Sequence, residues 1–300
     1  MVNNLLKKLE KKGETNTRLI VIGGFLILAA GIGVWINSIY LNPNNIFWDS
    51  FSNNLSTVGF TKQVTNKSGQ SSMNQLVQVS LSNNNYAHSI TTLTQSGTTV
   101  VTEEINGVSD EYVRYINIST NSKNGGSSKN FKPLLNKWGY QSAKTSGKPL
   151  SSRTFYQTIF GILPFSNLTE QQRSTIVNYA KTNKVYTVNA KTIKHETLNG
   201  QNVYTMEVTI KLEGYIKMMQ QLSKYNGFEA LKNVDPAQYA KQPPVVVKIS
   251  INPISRNLVQ INNGSSTGIT SYSGFGINPL TQLPKDHISL TQLQKKIQSL

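Results

Sequence analysis

The side chains able to do chemistry are few and scattered. His88, His195 and His287 lie far apart in sequence, and none has an acidic or histidine neighbour at metal-ligand spacing. The adjacent carboxylates Glu103-Glu104 and Asp110-Glu111 fall in stretches of strand character, where neighbouring side chains point to opposite faces. Local geometry therefore builds no paired-carboxylate acid–base site from them, and they are expected to bracket an Asn106-Gly107 turn in solvent. The patterns G-x-S-x-G, S-x-x-K, H-E-x-x-H and G-x-x-x-x-G-K-S/T are all missing. Gly274-Phe275-Gly276 is a lone G-x-G at a strand end and carries no phosphate-binding signal. Cysteine is absent from the 300 residues, which excludes disulfide scaffolds, thiolate zinc and iron–sulfur sites, and thiol catalysis. The residues predict a protein that is not an enzyme, with no catalytic residue, no metal site and no cofactor.

Charge speaks to surroundings rather than to chemistry. Lysine and arginine number 30 against 14 aspartates and glutamates, a formal net charge of +16. Outside a cell such an excess meets anionic lipid head groups or anionic envelope polymers. The lysines are scattered, and no aromatic-plus-basic motif accompanies them, so no specific nucleic-acid partner is expected.

Stepping from side chains to elements, Leu19 to Ile36 reads LIVIGGFLILAAGIGVWI, and no charged residue lies between Arg18 and Asp49. Extended to Leu41, the run reaches ~30 Å as a helix, enough to cross a bilayer core. Trp35 and Tyr40 stand where an interfacial aromatic belt would lie. Lys7, Lys8, Lys11, Lys12 and Arg18 outweigh Glu10 and Glu14 on the preceding flank, so the positive-inside rule predicts a cytoplasmic N-terminus and a single membrane span. A cleaved signal peptide, cut near Ala29-Ala30, is the competing reading; the apolar run is long for one. With no cysteine, an exported domain points to a bacterial envelope. The expected organisation is a cytoplasmic basic flank over 1–18, a transmembrane signal anchor over 19–41, and an extracytoplasmic domain over 42–300 with a polar insertion near 119–152.

Within that domain Phe47, Trp48, Phe51 and Leu55 share one helical face. Lys62 to Ser72 reads as a loop. Alternation then predicts a four-strand meander: Leu76–Leu81, Tyr86–Gln95, Thr98–Ile105 and Glu111–Ile118. Its last hairpin turns on Asn106-Gly107 as type I′. A short helix is expected near Phe131 to Trp138. Thr169-x-x-Gln172 is a capping box opening a helix to Thr182. Asn199-Gly200 makes a second type I′ hairpin. Tyr215 to Lys224 is a helix, followed by strands at Val245–Ile251, Arg256–Ile261 and Ile269–Phe275 and by a closing basic helix from Ser289. About nine antiparallel strands with one apolar face need helices to cover it. The expected fold class is α+β: an N-terminal transmembrane helix, then a curved open antiparallel sheet, a half-barrel, wrapped around amphipathic helices.

This element order, with the tail INPISRNLVQINNG, Tyr272-Ser273-Gly274-Phe275-Gly276 and Leu283-Pro284, resembles the LolA/LppX-type lipoprotein-carrier superfamily of bacterial envelopes. The resemblance covers roughly Phe47 to Leu300. It implies an apolar concavity under the sheet that binds a lipid, an acyl chain or another apolar group. Its candidate liners are Trp48, Phe51, Phe155, Phe160, Leu163, Phe165, Met206, Tyr215, Met219 and Leu222. The alternative is a non-catalytic surface or scaffold protein of the same fold, in which these side chains simply form the core.

Overall fold

A computed structural model describes residues 40–82, 85–120, 130–142, 150–227, 231–263, 268–279 and 281–298. The chain divides into two compact units, Met1–Ile46 and Phe47–Leu300. Among the described residues the second holds the sheet and nearly all of the helical residues.

Among the described residues twelve strands form one sheet: β1 (Gly59–Ser68), β2 (Ser71–Ser80), β3 (Tyr86–Gln95), β4 (Thr98–Gly107), β5 (Asp110–Thr120), β6 (Gly139–Ser142), β7 (Tyr186–Leu198), β8 (Gln201–Ile210), β9 (Val245–Ile251), β10 (Leu258–Asn262), β11 (Gly268–Ser273) and β12 (Ile288–Ser289). Their spatial order is β12-β6-β5-β4-β3-β2-β1-β11-β10-β9-β8-β7. Every ladder is antiparallel except β12 on β6. The α-helices among the described residues are α1 (Pro43–Asn54), α2 (Leu150–Ile159), α3 (Glu170–Thr182), α4 (Leu212–Tyr225) and α5 (Leu290–Gln298).

The expected fold class is corrected in its first element. No helix among the described residues is long and apolar enough to cross a membrane, so the structure gives no support to a single-pass protein with a transmembrane signal anchor. Of the segment expected over 19–41 only Tyr40 and Leu41 are described, and they precede a 12-residue helix that is half polar. The rest of that segment, the 1–18 flank and much of the 119–152 insertion lie outside the described residues.

The sheet is also larger than nine strands. Lys62 to Ser72, expected as a loop, is most of β1 and the start of β2. Beyond Phe60 the strand is too polar to alternate visibly, yet it is central: β2 pairs along its whole length and β11 along its other edge. Ladders on both sides satisfy its backbone groups, and that pairing outweighs weak strand propensity. β6 and β12, four and two residues long, are too short to leave a periodic signal.

The two Asn-Gly dipeptides behave differently. Asn199 and Gly200 have φ of 51° and 75° between the paired Leu198 and Gln201, the type I′ geometry expected. Gly107 has no positive φ and is instead the last residue of β4, paired with Tyr86. A Cβ there would stand 2.3 Å from Tyr86 Cε1, so this glycine admits a ring and the chain reverses one step later, around Val108-Ser109. The Thr169 capping box is present as expected: Gln172 N donates to Thr169 Oγ1 and Thr169 N to Gln172 Oε1. The helix expected near Phe131 shrinks to one 3₁₀ turn, Lys132–Leu134.

The core lies on the face where Met206, Val208 and Ile210 of β8 alternate inward, opposite Ile249, Val247 and Val245 of β9. On β1 and β2 the matching face carries Phe60, Val77 and Val79, all buried.

Candidate functional site

The ten candidate liners separate into two groups. Phe51, Phe155, Leu163, Phe165, Met206, Met219 and Leu222 are buried. Trp48, Phe160 and Tyr215 are half-buried, and they mark where apolar surface reaches the outside.

Phe165 belongs to a closed aromatic cluster. Its ring stacks on Phe60 at 4.0 Å between centroids, with Tyr272 at 5.2 Å and Phe275 at 6.2 Å. The Gly274-Phe275-Gly276 turn seals this end of β1. Gly276 N donates to Gly59 O at 3.0 Å, and Thr57 Oγ1 donates to the same carbonyl at 2.8 Å. The approach is so close that a Cβ on Gly59 would sit 2.2 Å from Ile277 O.

A second cluster gathers around Tyr186. Phe51 lies 5.3 Å, Phe47 5.6 Å, Trp48 6.4 Å and Tyr215 6.4 Å from its ring. Lys181 sits over the Trp48 ring at 5.4 Å, close enough for a cation–π contact. Both tyrosine hydroxyls reach the loop after α2. Tyr186 OH donates to Ile162 O at 2.9 Å and Tyr215 OH to Gly161 O at 2.6 Å. A buried hydroxyl without a partner costs ~1–3 kcal/mol, so the two bonds hold the loop's carbonyls and the hydroxyls together. Burial pushes both phenols well above their ordinary pKa, and for Tyr186 the neighbouring Tyr215 adds to it. They stay neutral donors across the physiological range.

Held this way, the loop forms one wall of an apolar cleft of about 270 Å³. Phe160, Gly161 and Ile162 face Ile210, Leu212, Tyr215 and Val245 across it. Of the ten candidates only Phe160 and Tyr215 line it. Ile162, Ile210, Leu212 and Val245 were not among the candidate liners. They come from three separated stretches, and only the β8–β9 pairing of Ile210 with Val245 brings two of them together.

Sequence reading also missed a polar constellation on the other face of the sheet. His88 Nε2 lies 2.7 Å from Glu103 Oε1, and Arg114 Nε donates to Glu103 Oε2 at 2.6 Å. The expectation that Glu103 is solvated is corrected: its residue is only 9% exposed. Glu103 and Arg114 are direct cross-strand partners on β4 and β5, and His88 is one diagonal step away on β3. Arg114 in turn lies 4.6 Å above the Trp138 ring. With both oxygens engaged, Glu103 pins three strands rather than offering a free acid or base. The other histidines lie against tyrosines, His195 stacked on Tyr204 at 4.1 Å and His287 tilted against Tyr140 at 4.6 Å. Among the described residues no three of His, Asp and Glu gather closely enough to hold a metal ion.

No protein-family model matches this chain, and no curated protein is significantly similar to it.

Proposed function

We propose that the protein is a non-catalytic binding protein that takes one apolar group, such as the end of an acyl chain, in the cleft between Phe160-Gly161-Ile162 and the β8–α4 junction. The observation that carries this reading is the cleft itself. It has an apolar rim, and the carbonyls of Gly161 and Ile162 in its wall are already capped by the Tyr215 and Tyr186 hydroxyls. An apolar occupant therefore displaces water without stranding either carbonyl, which favours burial. Its volume of about 270 Å³ sits just under the ~300 Å³ at which ordinary small-molecule pockets begin, so it suits part of a lipid rather than a whole one.

A second reading, a scaffold protein with a filled core, is favoured by the burial of the other liners. Seven of the ten are buried side chains of the core. Calorimetric titration of the full chain with 1-decanol separates the two. Saturable binding at one molecule per chain supports the cleft reading; absence of binding leaves the scaffold.

A further inference from the structure

A second depression adjoins the apolar cleft, larger and of opposite character. It measures about 580 Å³ and is lined by Tyr179, Lys211, Glu213, Lys217, Tyr239 and Gln242, among others. The two share Leu212. The junction explains how neighbouring residues serve different sites. At the end of β8 successive side chains still alternate, so Ile210 enters the apolar cleft while Lys211 enters the polar one. At the start of β9 the same division falls between Pro244 and Val245.

Among the residues lining the polar depression the charges do not cancel: Lys211 and Lys217 stand against Glu213, and Asp235 acts on Lys217 from outside the lining. Lys217 Nζ is 2.7 Å from Glu213 Oε1 in an i,i+4 pair, which neutralises the carboxylate of the lining. Lys211 is left as the surplus cation on an exposed side chain, in a depression that Tyr179 and Tyr239 also line. From a tail-sized apolar cleft joined through one leucine to a depression with a surplus cation, we infer that the ligand is a single-chain amphiphile with an anionic head, its tail against Phe160 and Val245 and its head beside Lys211. This rests on the apolar-cleft reading and adds the head group to it.

The test uses the full chain with two probes of equal length, decanoate and 1-decanol, by calorimetric titration at neutral pH. Lys211→Gln is expected to weaken decanoate about tenfold, the scale of one charge-assisted contact, and to leave 1-decanol unchanged. Glu213→Gln, which removes the only negative charge named in the depression, is expected to tighten decanoate and again leave 1-decanol unchanged. Both substitutions are at exposed or half-exposed positions, and matching melting temperatures verify that each variant is folded. If 1-decanol binds but Lys211→Gln changes decanoate and 1-decanol alike, or neither, the head-group inference is overturned while the apolar cleft stands. If neither probe binds the wild type, both are overturned.

Discussion

Phe160 and Phe165 lie five residues apart in one connection between α2 and α3, yet they meet opposite surroundings. Phe165 is 1% exposed and stacked within a cluster that a glycine-rich turn closes from above. Phe160 is half-buried and lines the open cleft. The difference lies in what covers each. Gly59, Gly274 and Gly276 let the backbone around Ile277 descend onto the first site. At the second, Gly161 and Ile162 are tied by their carbonyls to Tyr215 and Tyr186 and are held as a wall instead of a lid. A single loop thus gives one ring to a site that a distant turn seals and another to a site left accessible.

Substitutions sharpen this contrast. Phe165→Ala removes a fully buried ring from a packed cluster and is expected to cost ~3–5 kcal/mol, read by urea unfolding. Phe160→Ala is expected to cost well under half of that, because its ring already faces solvent in part; equal losses would erase the distinction between the sites. Gly59→Ala places a methyl against a backbone carbonyl that cannot rotate away and should cost ~1–3 kcal/mol. The same change at Gly161 meets nothing nearer than 3.8 Å and should be close to neutral.

Smaller effects come from the sheet. Gly107→Val and Gly200→Val are each expected to cost on the order of 1 kcal/mol, for different reasons. In a Tyr86→Ala background the Gly107 loss should largely disappear, since the ring is its cause, whereas the Gly200 loss should persist with its backbone strain. Glu111 gives the smallest effect. Burial, and then the Glu104 carboxylate, raise its pKa above the ordinary carboxylate value. The folded state therefore holds that proton more tightly than the unfolded chain. The associated stability is full below the ordinary glutamate range and is lost as pH rises through the raised value. Glu111→Gln should flatten that part of the melting temperature's pH profile, from the ordinary glutamate range upward.

What the sequence made legible follows from how local each signal is. The Thr169–Gln172 box and the Asn199-Gly200 turn are decided within a few residues, and both are present. β1 was not legible: its partners, β2 and β11, lie on either side, and β11 is about two hundred residues away. Asn106-Gly107 misled because a distant ring, not the local turn, uses the glycine. The His88–Glu103–Arg114 constellation needed a cross-strand register that no single stretch contains. The cleft was half legible: aromatic enrichment flagged Phe160 and Tyr215, but Ile210, Leu212 and Val245 look like ordinary strand and helix residues until β8 and β9 pair.

The proposed function places apolar binding in the open cleft and not within the packed interior. Val245 is 39% exposed at the cleft's rim, so Val245→Trp fills the cleft without entering the core. Wild type and Val245→Trp titrated with 1-decanol, with melting temperatures recorded for both, separate the two locations. The variant is expected to keep its melting temperature and lose binding; undiminished binding by a folded Val245→Trp protein would place the apolar site elsewhere.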